Sequence, residues 1–511
     1  MNARRWWLPS LTQCIWLVFF FGLLLTDWRQ VLVNSDGDPC WHWRTGNWML
    51  EHRAIIASDP FSHTRAGEPM MSKEWLSEVL FAVAGNALGW NGIVLVAALL
   101  IATTLALLHR QLLAEGSEIL LSTSLVLLAA KACTMHWLAR PHLYTLLFVV
   151  VFAWQLRWFD RDLVAPRQLF ARLVPLTALW TNLHGGFLSG LTLIGIHFVG
   201  NSVRWFADDA TSRAAARRRA TTLAILGVAC ALATLVNPHG WKLHQYILGF
   251  LRTPYQAYFT NEWKSANFHS GEMDGMLLQL LVLGLLLIAL RRSLSATDLL
   301  LTAFWLYSGL HAVRNVPIFA LIVTPILAEH LSAALPDSQH LAWTGPVRRI
   351  SGDITALNRA AGHGSLLAVA VIVMLMVFAK PMLVGGHALV ETEALTNRFP
   401  VASLKYLRAH PDAVSGEMFN DYAWGGYLIL YLPEHKVFID GRNDFYGEAL
   451  LREFIDVNRL KPAWETVLAK YHVDWTILPR EHPLNQLLAL HQNWSLAYTD
   501  DVAAIYARRP Q

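Results

Sequence analysis

An acidic motif, Asn34-Ser35-Asp36-Gly37-Asp38-Pro39, directly follows the first long apolar segment of the chain. Two carboxylates at that point would lie beside a membrane, where a low dielectric constant raises the pKa of a carboxyl group. Such a group suits general-base catalysis, and a carboxylate pair can bind a divalent cation, Mg²⁺ or Mn²⁺. We therefore predict Asp36 as a catalytic base, Asp38 as its catalytic partner, and both as candidate metal ligands. Asp, Gly and Pro also form ordinary turns, so an acidic turn that only ends a helix is the alternative.

Cationic side chains near the ends of other apolar segments are candidates for holding an anion. Lys131 lies within AAKACTMHWLARPH, and a lysine in a membrane span costs about 2.5–3.5 kcal/mol, so it generally faces a polar partner. Arg140 and His142 follow in the same segment, and Arg314 offers a guanidinium beside the bilayer that suits a phosphate. We predict that Lys131, Arg140 and Arg314 converge on one phosphate. The alternative for Lys131 and Arg140 is extension of the side chain to the lipid headgroups.

Two short runs combine an acid, a tryptophan and a cation, Lys73-Glu74-Trp75 and Asn261-Glu262-Trp263-Lys264. Because a tryptophan face can stack on a sugar ring, we predict that these runs bind substrate; interfacial amphipathic segments are the alternative. No histidine shows the spacing of HExxH, so we do not predict a histidine metal site. The residues predicted to bind substrate, besides the three cations, are Arg44, Glu74, His142, His184, Glu262 and Asn315.

The composition is that of a membrane protein. Of the 511 residues 54% are hydrophobic and 15% are charged, whereas a soluble domain carries about 25% charged residues. The 22 tryptophans suit membrane interfaces, where an apolar ring with one polar N–H is well placed. The formal net charge of +4 is too small to indicate nucleic-acid binding.

Apolar segments recur along most of the chain, and about 20 apolar residues are needed to cross a bilayer. The pattern predicts a polytopic α-helical membrane protein with about 11 spans. The spans are expected near residues 10–32, 91–110, 118–138, 142–158, 169–183, 186–206, 221–236, 276–291, 297–311, 316–333 and 364–385.

Arginine clusters set the predicted orientation. They all fall on one side of this map, which the positive-inside rule makes cytoplasmic. We therefore expect a bacterial inner membrane protein with a cytoplasmic N-terminus, a long first outer loop at 33–90, and an outer tail. The clusters are Arg4 and Arg5, Arg157 and Arg161, Arg167 and Arg172, Arg213 and Arg217–Arg219, Arg291 and Arg292, and Arg348 and Arg349.

Two domains are expected, a membrane domain over residues 1–385 and a soluble extracytoplasmic α/β domain over residues 386–511. In the tail, FPVASLKYLRAH and WGGYLILYL favour helices, whereas GEMFN, KVFID and VDWTIL favour strands. The alternation of the two favours a sheet covered by helices.

This layout resembles the GT-C superfamily of integral membrane glycosyltransferases. In that superfamily an acidic motif follows the first span, and a long first outer loop contains membrane-parallel helices; SKEWLSEVLFAVAGNAL (72–88) is similar to such a helix. Residues 38–69 are loosely similar to the start of oligosaccharyltransferase catalytic subunits, and 420–427 with Asp440 resemble part of their C-terminal region more faintly. The overall pattern most resembles bacterial members of the superfamily whose activity is not assigned.

The resemblance implies a transferase that moves a sugar from a polyprenyl-phosphate or -pyrophosphate carrier to an acceptor at the outer membrane face, with an outer-loop Asp as base. The lipid bilayer and the lipid-linked donor are the expected partners, and the acceptor is left open between a glycan, a lipid and a protein. The rival interpretation is a non-catalytic transporter or assembly partner for envelope polysaccharide. Transporters often contain two similar halves, and the sequence shows no internal repeat.

Overall fold

The structure is a computed structural model that describes residues 8–34, 37–207, 210–253, 255, 260–288, 293–334, 344–361 and 398–509. Before the C-terminal domain the described chain is helical, with short 3-10 turns at Thr134–His136, Asn261–Trp263 and Val313–Asn315. Its helices are α1 (Leu11–Leu25), α2 (Trp28–Asn34), α3 (Asp38–His52), α4 (Trp75–Leu88), α5 (Trp90–Ala114), α6 (Ile119–Cys133), α7 (His142–Asp160), α8 (Pro166–Leu183), α9 (Phe187–Ala207), α10 (Ala210–Ala233), α11 (Trp241–Leu251), α12 (Asp274–Ile288), α13 (Ala296–His311), α14 (Val316–Ala334) and α15 (Thr344–Ala360).

Several helices are long and apolar enough to cross a membrane. Helices α1 and α4 are apolar but shorter, and the other predicted spans fall on helices α8, α9, α10 and α13. The last predicted span, 364–385, lies outside the described residues. The described chain is thus mostly helical with several apolar helices of spanning length, as predicted, whereas the count of about 11 spans stays a prediction. The five segments that meet the length and composition of a span in the described residues are Trp90–Ala114, Ile119–His136, His142–Asp160, Gly271–Ile288 and Val313–Ala334.

Two predicted boundaries differ from the structure. The segment 10–32 is predicted as one span, but α1 ends at Leu25, where Thr26 is extended and its hydroxyl donates to the Gly22 carbonyl (2.6 Å). A side chain that bonds to the backbone in this way competes with continuation of the helix. The arginine-rich stretch before residue 221, predicted as a loop, forms the first turns of α10, because Ala and Arg are strong helix formers.

Helix α14 lies at the centre of the bundle. Every residue from Val316 to Ala328 is buried, as expected for a helix that is apolar on all faces. It packs against α6, α7, α12 and α13. The turn Val313–Asn315 directly precedes it, so residues in that turn are held against the end of the bundle.

Helices α3 and α4 pack together in the first outer loop, and α4 confirms the helix predicted over 72–88. Two glycines permit the close approach. A Cβ atom at Gly46 would lie 1.9 Å from the Glu78 carbonyl oxygen, and one at Gly85 would lie 2.3 Å from the Trp43 ring. Side chains on both helices are therefore fixed relative to each other.

The C-terminal domain contains a sheet with strand order β1-β2-β4-β3, which confirms that the tail is a sheet-containing domain. Strands β1 (Glu417–Asn420) and β2 (Val473–Pro479) are parallel, whereas β4 (Ala503–Arg508) is antiparallel to β2 and to β3 (Trp494–Thr499). The expected boundary near residue 386 lies outside the described residues. The helices of the domain are α16 (Val401–Ala409), α17 (Gly425–Tyr431), α18 (Asn443–Asn458), α19 (Trp464–Lys470) and α20 (Pro483–Leu490).

The segment KVFID is predicted as a strand of this sheet, and that prediction is wrong. Val437 pairs instead with the first outer loop: its N–H donates to the Phe61 carbonyl (3.0 Å), and its carbonyl accepts from the His63 N–H (3.0 Å). The Thr64 hydroxyl also donates to the Phe438 carbonyl (2.7 Å). The segment is apolar because it is buried, and its backbone groups find their partners in the loop.

A buried ion-pair network fixes the C-terminal domain on the first outer loop. Arg442 is 3% exposed, and it donates to Asp440 from Nε (2.8 Å) and Nη2 (2.6 Å) and to Asp59 from Nη1 (2.7 Å). The Tyr446 hydroxyl donates to Asp440 as well (2.5 Å). Because a buried charge without a partner is costly, the network favours one arrangement of domain and loop. The contact also places the loop and the domain on the same side of the membrane.

We expect Arg442→Met to loosen the domain, because two buried carboxylates would lose their cation at a cost of about 3–5 kcal/mol. The midpoint of thermal unfolding in detergent and the rate of proteolysis of the C-terminal domain measure this loss. Arg452→Met is the matched control, since its ion pair with Glu448 on α18 is exposed and such pairs contribute about 0.3–0.5 kcal/mol. Equal stability of the two variants would show that the network does not hold the domain in place.

Candidate active site

A cavity of about 330 Å³ lies between one end of the apolar helix bundle, the loop at 33–90 and the C-terminal domain. Three predicted acids line it, namely Asp38, Glu74 and Glu262. Two predicted cations and two predicted histidines line it as well, namely Arg140, Arg314, His142 and His184. The structure thus brings together residues from segments that are far apart in the sequence.

Arg140 joins two carboxylates across the cavity. Its Nη1 donates to Glu262 Oε1 (2.8 Å), and its Nη2 lies 3.3 Å from Asp38 Oδ2. Asp38 Oδ1 accepts from Trp41 Nε1 (3.0 Å). Burial raises the pKa of Glu262, but Arg140 and other nearby groups outweigh burial and bring this pKa to about 2. Glu262 is therefore ionised at ordinary pH, and the Arg140 guanidinium lies between two negative charges.

Glycines let the C-terminal domain approach the acidic motif. A Cβ atom at Gly441 would lie 1.9 Å from Asp38 Oδ1, and one at Gly426 would lie 2.1 Å from the Gly37 carbonyl oxygen. A Cβ atom at Gly37 would in turn lie 2.5 Å from the Ala423 carbonyl oxygen. A side chain at any of these positions would push the domain and the motif apart, so the three glycines fix where Asp38 lies.

Lys73 links the first outer loop to the C-terminal domain. It forms an ion pair with Asp444 at the start of α18, and the Tyr246 hydroxyl donates to the same carboxylate (2.9 Å). Burial opposes the charge on Lys73, but Asp444 and Glu74 outweigh burial and raise the pKa of Lys73. Lys73 is therefore a permanent cation in the cavity wall.

Arg314 lies over the Trp263 ring, with the guanidinium carbon 4.7 Å from the ring centroid. The Val313 N–H donates to the Lys264 carbonyl (3.0 Å), so the turn before α14 is tied to the loop that contains Glu262. Among the described residues no carboxylate forms an ion pair with Arg314. Its N–H donors are therefore available to an anionic ligand.

Glu74 lies between two imidazoles. It is 7% exposed, and its Oε1 is 3.5 Å from His184 Nε2 while its Oε2 is 3.9 Å from His42 Nε2. Burial raises the pKa of Glu74, and Lys73 and His42 offset only part of this effect. His42 also faces Glu78 on α4, whose pKa burial raises to about 7. This side of the cavity therefore contains acids that are easily protonated.

A larger cavity of about 990 Å³ adjoins the first one. Trp28, Trp137 and the exposed Lys131 line it, so it combines aromatic surface with a cation in the last turn of α6. Arg140 lies at the junction of the two cavities. The residues that line both are His136, Arg140, Asn261 and Glu262.

Three residues predicted to bind substrate do not line the smaller cavity. Arg44 donates to Glu51 on its own helix (2.8 Å) and lies at a separate surface pocket, because it occupies the opposite face of α3 from Asp38. The Asn315 amide donates to the Ser308 carbonyl (3.2 Å) and so stabilises a turn. Lys131 lines the larger cavity, so the three predicted cations do not share one cavity. The contacts of Arg44 and Asn315 are thus made within a helix and a turn, away from the smaller cavity.

Sequence reasoning misses several residues that line the smaller cavity. His42 follows Asp38 by four residues, so both lie on one face of α3, and this spacing was the available signal. Asp444 lies 371 residues from its partner Lys73, and no local pattern relates the two. The missed residues are His42, His136, Tyr422, Asn443 and Asp444.

The predicted divalent cation stays a prediction. Within them no group of three or more His, Cys, Asp or Glu residues is arranged to hold a metal ion. Asp38 has Trp41 at one oxygen and the Arg140 guanidinium at the other, so a cationic group already lies against it. Asp36, the second predicted ligand and the predicted base, lies outside the described residues.

Comparisons with known proteins identify the fold. No protein-family model and no curated sequence matches the chain. Among solved structures, oligosaccharyltransferase AglB from Archaeoglobus fulgidus has a TM-score of 0.53 at 12% identity, over 93% of this chain and 70% of AglB. ArnT from Cupriavidus metallidurans, solved with undecaprenyl phosphate, has a TM-score of 0.52 at 14% identity, over 98% of this chain and 99% of ArnT.

Both neighbours are GT-C membrane glycosyltransferases, and at these identities the similarity shows a shared fold. The chain therefore has the GT-C fold, which confirms the resemblance found in its first outer loop. The match over nearly all of ArnT covers the membrane helices as well as the C-terminal domain.

We expect Arg140→Gln to destabilise the protein by about 1–3 kcal/mol at pH 7.5, because Asp38 and Glu262 would lose their shared cation. Without Arg140, burial would raise the pKa of Glu262 above its ordinary value. A carboxyl group whose pKa is raised by folding destabilises the fold at high pH and ceases to do so as the pH falls. The difference in unfolding midpoint between variant and wild type should therefore shrink from pH 7.5 to pH 5.

Arg44→Gln is the control for this titration, since its partner Glu51 is exposed on the other face of α3. Its difference from wild type should stay small and constant over the same pH range. A constant difference for Arg140→Gln would mean that Arg140 does not neutralise the two cavity carboxylates.

Proposed function

We propose that the protein is a glycosyltransferase that moves a sugar from a polyprenyl-phosphate-linked donor to an acceptor at the outer membrane face. The observation that carries this proposal is the junction of the two cavities at Arg140 and Glu262. A lipid-linked donor needs a groove for its chain and a polar space for its sugar, and a cation where the two meet. The fold shared with ArnT, which was solved with undecaprenyl phosphate, supports the proposal.

Under this proposal the donor phosphate binds near Arg140, with Arg314 on the side of the smaller cavity and Lys131 on the side of the larger one. The phosphate gains negative charge as its bond to the sugar breaks, and fixed cations stabilise that charge in the transition state. Because phosphate is already a good leaving group, acid catalysis on that side adds little. An anionic headgroup would also offset the cost of Lys131 near the membrane.

The acceptor hydroxyl needs a base to take its proton. The sequence assigns this role to Asp36, with Asp38 in support. In the geometry of the described residues, Asp38 orients Arg140 and accepts from Trp41, which suits a supporting role. Tyr422 and Asn443 close the cavity from the C-terminal domain, so the acceptor would enter between this domain and the first outer loop.

We further propose that the protein lies in a bacterial inner membrane, with the N-terminus inside and residues 386–511 outside as a separate domain. The one-sided arginine clusters support this orientation. An alkaline phosphatase fused to the C-terminus should therefore be active. An inactive fusion beside an active cytoplasmic reporter would overturn the orientation.

Turnover by the reconstituted full-length protein tests the reaction. Undecaprenyl phosphate carrying single monosaccharides serves as donor, and lipid and polysaccharide fractions of a bacterial envelope serve as acceptors. We expect acceptor-dependent release of undecaprenyl phosphate, measured by mass spectrometry. Binding of undecaprenyl phosphate without turnover of any donor would favour the transporter or assembly partner.

Arg314→Gln and Lys131→Gln should each weaken the binding of undecaprenyl phosphate by about 10- to 100-fold, since a hydrogen bond to a charged group contributes about 1.5–3 kcal/mol. Binding to protein in nanodiscs measures the loss. Lys242→Gln is the matched control, because Lys242 is exposed on α11 and lines neither cavity. If Lys131→Gln binds as tightly as wild type, the larger cavity does not hold the phosphate.

A further inference from the structure

Four carboxylates line the smaller cavity among the described residues, and they differ in their partners. Asp38 and Glu262 share Arg140, and Asp444 pairs with Lys73. Of these four, Glu74 is the one with no arginine or lysine within ion-pair distance. Its carboxylate oxygens instead lie near the imidazole rings of His42 and His184. A carboxylate that is not neutralised by a fixed cation keeps its capacity to accept a proton.

The contacts of His184 determine where its proton lies. Its Nδ1 accepts from the Gly186 backbone N–H (3.0 Å), which can only donate, and the Thr145 hydroxyl lies 2.7 Å from the same nitrogen. That hydroxyl accepts from Trp180 Nε1 (2.9 Å), so its own proton can point towards Nδ1. A neutral ring then carries its proton on Nε2, which faces Glu74. Burial lowers the pKa of His184 well below its ordinary value, so the ring is neutral.

We propose that Glu74 is the general base of the transfer reaction and that His184 is its positioning residue. The inference rests on the proposed function, and it replaces Asp36 in the role of base. The His184 Nε2–H, 3.5 Å from Glu74 Oε1, would favour the ionised form of Glu74 and help to orient the carboxylate, which lines the cavity. Glu74 is the catalytic residue, since it would touch the acceptor.

The proton and electron balance of the step is simple. The proton of the acceptor hydroxyl moves to the Glu74 carboxylate as the acceptor oxygen bonds to the anomeric carbon. The bond between that carbon and the phosphate oxygen breaks, and its electron pair stays with the phosphate. Glu74 then releases the proton to solvent through the cavity. No oxidant, reductant or further reactant is required.

The surroundings of Glu74 suit this task. A general base works best when its pKa lies near the working pH, and burial raises the pKa of Glu74 towards that range. Cationic neighbours lower this pKa and anionic neighbours raise it, so the pH dependence belongs to the group as a whole. The titratable groups that act on the pKa of Glu74 are Lys73, His42, Glu78 and Asp444, and the His184 ring lies 3.5 Å from its carboxylate.

Glu74→Gln and Asp36→Asn, compared in the reconstituted turnover assay, test the proposal. A base must be ionised, so the wild-type kcat should fall below a limiting pH. We expect Glu74→Gln to lower kcat by about 100-fold or more and to remove this acid limb, while undecaprenyl phosphate binds within about twofold of wild type. Glu51→Gln is the control, because Glu51 is an exposed acid on α3 that lines neither cavity.

Two adjacent glycines test the positioning role of His184. A Cβ atom at Gly186 would lie 2.3 Å from Thr145 Oγ1 and 2.7 Å from His184 Nδ1, whereas at Gly185 the nearest atom would be 3.8 Å away. Gly186→Ala should shift the acid limb upwards by about one pH unit, because a displaced His184 ring no longer faces Glu74 with its Nε2–H, and Gly185→Ala should leave it unchanged. If Gly186→Ala fails to fold, Thr145→Val removes a donor to the same nitrogen, and Thr145→Ser should restore the wild-type profile.

The outcomes separate this proposal from the proposed function. If Asp36→Asn removes the acid limb and Glu74→Gln retains it, the base is Asp36, and the transferase assignment stands. If the wild type neither binds undecaprenyl phosphate nor turns over any donor, the proposed function fails, and the base assignment fails with it. An acid limb that Gly186→Ala and Thr145→Val do not move would overturn the role of His184.

Discussion

The buried contact of Arg442 with Asp440 and Asp59 is the constraint on which the candidate site depends. The smaller cavity has no complete wall in the membrane part alone, since Tyr422, Gly441 and Asp444 belong to the C-terminal domain. Those residues face Asp38 and Lys73 only while the domain is docked on the first outer loop. A network that is fully buried and fully paired is suited to this, because any displacement would expose one of its charges to an apolar surrounding.

Within the cavity, charge is almost balanced. Among the described residues the acids Asp38, Glu74, Glu262 and Asp444 face the cations Lys73, Arg140 and Arg314. The balance is complete when Glu74 is protonated. Under the proposed function, negative charge would develop on the departing phosphate while a proton arrives on Glu74. Each event favours the other electrostatically, because the cavity has a low dielectric constant and opposite changes of charge compensate there.

The sequence predicts the class of fold well, since that class depends on composition and local periodicity. Apolar segments of helical length and an alternating tail are local signals, and so is the acidic motif beside the first span. The features that the sequence does not predict depend on contacts between segments that are far apart along the chain. The apolar residues of KVFID indicate a buried segment and so predict a strand. Nothing in the segment indicates that its hydrogen-bond partner is the loop at 61–64. Arg44 lines a separate pocket, since the face that a residue of α3 presents to the cavity depends on how the helix packs. The proximity of Lys73 and Asp444 follows from the docking of a domain, which no pattern within either segment encodes.

The distance along the chain between Asp59 and Arg442 also affects how the protein is made. The two residues are separated by 383 positions, and a ribosome adds about 5–20 residues per second, so Asp59 is synthesised about 20–80 s before its cation. During that interval Asp59 lacks the arginine with which it pairs in the folded protein. The contact between the loop at 33–90 and the C-terminal domain can therefore form only when translation is almost complete. A chain that ends before this domain lacks Tyr422, Gly441 and Asp444 and so cannot complete the wall of the cavity.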